Sequence, residues 1–575
     1  MGERDLTAAA VAGPPRRFTR RLLAPLALLA LLAALVMARP LEAPPSPRAA
    51  AHCLAAASLA RDLDLSFAAA DRPRAEAYLE RGSRGVLLAR SAEPSTASYP
   101  VDLWSQAYLA PFARLGGLRG VVLAHVLALV VAMGLAARTL RQRLDAPWRL
   151  LLACVFASAT LALALTPRSE VLVLAAVVAA FALAYRSEVP TFDELPEVWA
   201  DRSRGMGAGL RWLLVGFLLG YAALTHPVHL LLLLPAGLAA RDARPGGGPV
   251  MVVLGAVGAA ALGISGALLL GGAWPWGPEL SVFTARSGFP GQGGEWESGD
   301  AVPSLLAAAR PVPDLSLSAW NLLFAAVGRT AGALPYFLPI VLLLALWEPR
   351  RRRSPLVVAA ALAVVAALVV WPFDWAGDAP LGNAALLPVF GALWLVPTRR
   401  CGWLAVAAIT AAAAPFLWPS WLDAAGLSGR GSTVGPAAER WLPHESTRRP
   451  LAGDFAALGT LRVLPAGGAV EYRGDRFLID GGRWGSLVVA SPVPLATLYL
   501  DFDGQAGSEL EVVGGRLGDT LFRGDGGVRF SVELPERPRR HPMWFSAEPQ
   551  SLYDLRLRLP KAPRIPVAFV PGGDP

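Results

Sequence analysis

Glu170 is the carboxylate of this chain best placed to move a proton. It follows Thr166-Pro167-Arg168-Ser169, where a polar turn meets a long apolar run. An ionisable group at such a boundary is costly and usually functional; the alternative is an interfacial ion pair with Arg168. Asp62 and Asp64 make an Asp-x-Asp that could hold a divalent metal, with Asp62 also an acid/base candidate; otherwise they end a helix in solvent. Glu42 is a third acid/base candidate or a plain loop charge. His226 and His229 share a helix face at i, i+3 spacing, which suits a phosphate when protonated, a metal, or simple packing. Arg329 carries a permanent charge in a fork that fits phosphate oxygens. Tyr336 and Asn383 complete the polar set as substrate contacts, or as an interfacial anchor and a helix cap. Asp102, after Tyr99-Pro100, reads as a helix cap.

These residues are strung between apolar runs. The chain has 575 residues, 54% hydrophobic and only 17% charged, and a mean hydropathy of +0.44. About eleven runs are long enough to read as spans: 22–37, 119–137, 148–165, 170–185, 209–224, 227–240, 249–271, 331–348, 355–371, 384–397 and 402–418. Arginines cluster in alternate gaps, at 138–149, 241–244, 350–353 and 399–400. By the positive-inside rule those gaps face the cytoplasm and the others face outward. The net charge of +9 is explained in this way and does not argue for nucleic acid. The first run is a span or a cleaved signal peptide ending near Val36-Met37-Ala38.

The expected organisation is a basic cytoplasmic N-terminus at 1–21 and a polytopic α-helical membrane domain at 22–418, with large outer loops at 40–118 and 272–320. A connector at 419–450 leads to an extracytoplasmic β domain at 451–575. In the last segment Val528, Phe530, Val532 and Leu534 alternate with polar residues, as do Leu555, Leu557 and Leu559. Gly481-Gly482 and Gly514-Gly515 mark turns, giving roughly eight to ten short strands and a sandwich or jelly roll. Such a domain binds sugars or serves as a structural cap. Trp274, Trp276, Trp371, Trp375, Trp418 and Trp421 form an aromatic belt, whereas Trp296 and Trp484 could stack on a sugar. Three cysteines, Cys53, Cys154 and Cys401, make no disulfide framework.

Several stretches, in order, resemble the polytopic glycosyltransferases of the GT-C fold, closest to the dolichyl-phosphate-mannose and aminoarabinose-transferase-like group. They are Ser58-Leu59-Ala60-Arg61-Asp62-Leu63-Asp64-Leu65, then Tyr99-Pro100 with Ala110-Pro111-Phe112, and Thr166 to Val171. Leu224-Thr225-His226-Pro227, Asn321 to Phe337 and Leu381-Gly382-Asn383 continue the series. The resemblance implies transfer of a sugar from a polyprenyl-phosphate donor to a glycan, lipid or protein acceptor. Transfer would occur at the outer face of a bacterial-type plasma membrane. It also implies a carboxylate base, and a cationic or metal-assisted phosphate site with lipid as neighbour. The chain departs from the pattern: Ala49-Ala50-Ala51 stand where the family has an Asp-Glu pair, and Cys53 replaces a tyrosine. His226 replaces an arginine, and Ala384-Ala385 replace Arg-Tyr. The alternative expectation is therefore a catalytically degenerate relative that binds lipid-linked sugar or scaffolds envelope assembly. A transporter is disfavoured because inverted repeats are not evident.

Overall fold

The computed structural model describes residues 27–571 apart from 29, 35, 37–43, 45, 82, 84, 91–96, 141–146, 186–205, 244–246, 275, 278, 284–300, 311–313, 350–352, 378–380, 397, 400, 423–433, 435, 451–455, 459, 469, 474–475, 480–483, 503–508, 515–518, 526–528, 535–537 and 559–564. The N-terminal basic stretch, Glu42, Trp296 and part of the connector thus lie outside the described residues.

Long apolar runs give long helices. Leu103–Leu140 and Gly248–Leu269 are long and apolar enough to cross a membrane. Among the described residues six further apolar helices are shorter, at 10–17 residues. Runs that read as continuous are divided where proline removes a backbone donor. The run at 227–240 opens with a 3-10 turn, Pro227–Leu232, before the helix Leu233–Ala243. That at 331–348 splits into Ala333–Tyr336 and Pro339–Ala345. The helix at 103–140 starts well before the expected span and bends at Gly117, whose φ of 55° suits glycine. Val250, Val253, Val257, Leu262 and Leu268 of Gly248–Leu269 are exposed, a contiguous apolar face suited to hydrocarbon.

Helices Met206–Thr225 and Gly248–Leu269 meet through glycine. A Cβ on Gly216 would stand 1.9 Å from the Val252 carbonyl oxygen, and one on Gly255 would stand 2.0 Å from that of Leu213. Small residues spaced four apart, Gly216 and Gly220, permit this approach of two backbones. Because the obstacle is main chain, the helices must part to admit a side chain. Gly216→Leu is expected to destabilise the protein by about 3 kcal/mol, read by unfolding in mixed micelles. Gly258→Leu, where a Cβ meets nothing within 4 Å, is the control, and equal losses in both would refute the interlock.

At one end of the helices the two long loops combine into a single layer. Its strands are β1 (Ser66–Phe67), β2 (Val86–Arg90), β3 (Ala97–Ser98), β4 (Leu280–Phe283) and β5 (Ala301–Val302). They are ordered β1-β3-β2-β4-β5, and β2 pairs antiparallel with β4, Val86 opposite Phe283. Helix Pro47–Arg61 packs Ala50, Leu54 and Ala55 into one core with Leu88, Tyr99 and Val282.

The C-terminal region is β-rich. Its strands are β6 (Ala456–Leu458), β7 (Leu461–Gly468), β8 (Val470–Arg473), β9 (Arg476–Ile479), β10 (Trp484–Ser491) and β11 (Thr497–Phe502). They continue through β12 (Glu509–Gly514), β13 (Asp519–Asp525), β14 (Arg529–Glu533), β15 (Arg539–Met543), β16 (Ser546–Arg558) and β17 (Ile565–Pro571). One sheet runs β13-β12-β16-β10-β7-β6, with β15 added on β16; the other runs β14-β11-β17-β9-β8. Val463, Leu487, Val489 and Leu555 of the first share a core with Phe477, Ile479, Leu498 and Leu500 of the second. The expected alternation is present, with more strands than the eight to ten it suggested, since several are only three or four residues long.

Candidate functional site

A cleft opens beneath the loop layer. Its larger lobe has a volume of about 1110 Å³ including the mouth, and the smaller about 510 Å³. Arg48, Ser169, Glu170 and Thr225 line both lobes. Local sequence explains why these residues arrive together. Ser46 caps helix Pro47–Arg61 by accepting from the Ala49 N–H at 3.2 Å, with Pro47 in the first turn. That turn carries Arg48, a cation where the helix dipole disfavours one. Helix Ser169–Ala184 begins beside it and puts Glu170 in its own first turn, where a negative side chain complements the dipole. The Arg168 guanidinium donates to Glu170 Oε1 at 3.0 Å, with Arg168 buried and Glu170 partly open.

His226 lies at the third helical start, before Pro227–Leu232. Its Nδ1 accepts from the Val228 N–H at 3.2 Å, which places the ring proton on Nε2. That atom is buried without a hydrogen-bond partner, on a residue that lines the larger lobe. Trp371 meets the ring edge-on at 4.9 Å. Burial first, then His229 and Arg48, push the imidazole down to about 3. His226 is therefore a neutral donor, and the sequence expectation of a protonated phosphate ligand gives way to Nε2–H donation. The same depression sets a pH dependence. The folded value lies below the unfolded value of about 6.5, so the unfolded chain binds the extra proton between the two. Stability is fully present above pH 6.5 and falls as pH drops toward 3, by about 3 kcal/mol at pH 4.5. His226→Gln should make that acid limb shallower in melting measured from pH 4.5 to 7, with His52 and His444 supplying part of what remains. An unchanged limb would show that other groups set it.

His52 repeats the arrangement in the smaller lobe. Its Nδ1 sits 2.7 Å from Gln106 Nε2, and its own Nε2 is buried without a hydrogen-bond partner. Burial, then His125 and Arg168, hold this imidazole well below its ordinary value. Asp102, also on this lobe, caps helix Leu103–Leu140: Ser105 N–H donates to Oδ1 at 2.6 Å and Ser105 Oγ to Oδ2 at 2.7 Å.

The larger lobe gains two residues that motif reasoning missed. Asp374 comes from the turn after helix Ser354–Val370, and Arg449 from the connector. The Arg449 guanidinium stands 3.7 Å from Asp374. Burial raises the Asp374 carboxyl above the usual carboxylate range, opposed by Arg449, Arg48 and Arg448. Leu87, Leu280, Val282 and Leu305 supply an apolar wall. The signal for Asp374 was its place between Trp371 and Trp375 in an outward gap; for Arg48, a cation in a capped first turn. Arg449 carried no local signal.

Other expected residues stand elsewhere. Arg329 is buried and donates through Nη2 to Asp554 Oδ2 at 2.5 Å and through Nε to the Leu442 carbonyl at 3.3 Å. Tyr336 donates its hydroxyl to the Arg329 carbonyl. Asn383 Oδ1 accepts from the Leu386 N–H at 3.0 Å, as a helix cap does. His229 lines the larger lobe, its ring nitrogens at 2.8 and 2.9 Å from the carbonyls of Ala222 and Ala385. Asp62 pairs with Arg74 at 2.8 Å, and Asp64 accepts from Ser58 at 2.5 Å. Among the described residues no group of three His, Cys, Asp or Glu is placed to hold a metal. Neither aspartate lines the cleft, and nor do Arg329, Tyr336 or Asn383.

No family model, curated protein or solved structure matches this chain.

Proposed function

We propose that the chain is a multi-pass membrane glycosyltransferase that takes a sugar from a polyprenyl-phosphate carrier at the outer membrane face. The carrying observation is the composition of the cleft: Glu170 and Asp374 stand among Arg48, Arg168 and Arg449, beside an apolar wall. An acidic amphiphile needs such a set, with cations for the phosphate and apolar surface for the first isoprenoid units. Glu170 would take the proton of an acceptor hydroxyl while its oxygen attacks the anomeric carbon. The bond from that carbon to the phosphate oxygen breaks, and the phosphate leaves with the electron pair.

This reading keeps the GT-C-like architecture, the eleven-span topology, a cytoplasmic N-terminus and an extracytoplasmic β domain as parts of one proposal. A divalent metal is not required by it, since the arginines supply positive charge. The alanines lining the cleft, Ala49, Ala51 and Ala385, favour one second reading, a lipid-linked-sugar binding protein without transfer. Purified protein in liposomes, given short-chain isoprenyl-phosphate sugars and a glycolipid acceptor mixture, separates the two. Glycosylated product supports transfer, and carrier binding without product supports the second reading.

A further inference from the structure

The cleft is not built by the helical region alone. The connector segment that precedes the β-rich region is fixed to it at successive residues. Arg329 N–H donates to the Pro443 carbonyl at 2.9 Å. Glu445 Oε1 accepts from the Thr330 and Ala331 N–H groups at 2.6 and 2.8 Å. Arg448 donates to Thr330 Oγ1 at 2.8 Å and to the Gly377 carbonyl at 3.0 Å. Arg449 N–H donates to the Phe373 carbonyl at 2.9 Å. The strap therefore ends with Arg449 and Pro450 in the wall of the larger lobe.

The β-rich region presses on the same arginine. Trp544, in the turn between β15 and β16, lies under the Arg449 guanidinium, 6.0 Å from ring centre to Cζ. Asp374 stands at 3.7 Å from the same guanidinium, beyond hydrogen-bond distance. The guanidinium thus neighbours both a ring and a carboxylate, and its Nε is buried without a hydrogen-bond partner. Its fork remains suited to a phosphate, near the cation of Arg48.

We infer that Arg449, set by the strap and by Trp544, is the residue through which the β-rich region completes the phosphate seat of the larger lobe. This rests on the lipid-phosphate reading above but not on catalysis. The β-rich region is then part of the site, with Trp544 a positioning residue that acts through Arg449.

The test is binding of farnesyl phosphate to the full-length protein in nanodiscs, with farnesol and inorganic phosphate as separate probes. Wild type should bind farnesyl phosphate, and Arg449→Ala should weaken it by at least about tenfold. Arg449→Lys should recover most of the loss, and Trp544→Ala should weaken binding where Trp544→Phe does not. Farnesol binding should be unchanged in every variant. Equal weakening for farnesyl phosphate and farnesol in Arg449→Ala, with no recovery in the lysine variant, means damage to the fold and overturns the inference. So does wild-type affinity in Arg449→Ala, or no binding by wild type. Inorganic phosphate bound as tightly as farnesyl phosphate would overturn the lipid as ligand. Arg449-dependent binding without sugar transfer would end only the catalytic reading. Transfer with an unchanged KM in Arg449→Ala would end only this one.

Discussion

Glu170→Gln is expected, under the transfer mechanism proposed above, to lower sugar transfer by about 10²–10⁴-fold, the usual contribution of a positioned general base. The amide keeps the shape and an oxygen acceptor for the Arg168 guanidinium, which stands 3.0 Å from the native carboxylate. It removes the capacity to take a proton and also the charge paired with buried Arg168, so a denaturant titration of the same variant must accompany the kinetics. Loss should therefore fall on kcat, with KM for the donor little changed, because Arg48 and Arg449 remain. Asp62→Asn is the matched control, since Asp62 pairs with Arg74 away from the cleft. Wild-type kcat in the Glu170 variant would remove it from the mechanism and turn attention to Asp374, whose carboxyl burial raises toward the working range.

Asp554→Ala should cost about 3–5 kcal/mol of unfolding free energy, one of the largest effects expected of any single change outside the cleft. Arg329 is 1% exposed, so losing its partner strands a guanidinium that water cannot reach. The Leu442 carbonyl at 3.3 Å compensates weakly. The penalty comes from the orphaned charge and not from the intrinsic strength of the pair. The double variant Asp554→Leu/Arg329→Met should accordingly recover to within about 2 kcal/mol of wild type. Denaturant titration in mixed micelles checks both. A double variant no more stable than Asp554→Ala would refute the stranded-charge account, because relief would then be absent where no charge remains.

The helical and β-rich halves were legible because each has its own period: long apolar runs up to about residue 418, then alternation every second residue. Helix breaks were less legible, since hydropathy averages over Pro339, where a new helix starts, while the backbone cannot. Glu170 and His226 were legible as polar residues at run ends, and both stand on the cleft. Arg329 looked equally apt, but its partner Asp554 is 225 residues away, and nothing in local pattern announces such a pair. Asp374 and Arg449 meet only through the strap, for the same reason. The strands β1 to β5 are two to five residues long, too short for a period to be counted.

The pairing of β2 with β4 fixes when this protein can become competent. Its partners, Val86–Arg90 and Leu280–Phe283, are separated by nearly the whole run of early helices. At roughly 5–20 residues per second of synthesis, β2 waits on the order of ten to forty seconds for its neighbour to emerge. Throughout that interval its edge, and the start of helix Pro47–Arg61 above it, have no lid of their own chain. The cleft is then a late product of biogenesis, assembled only after the helices between them have been synthesised, so its walls cannot close before the middle of the chain is in place.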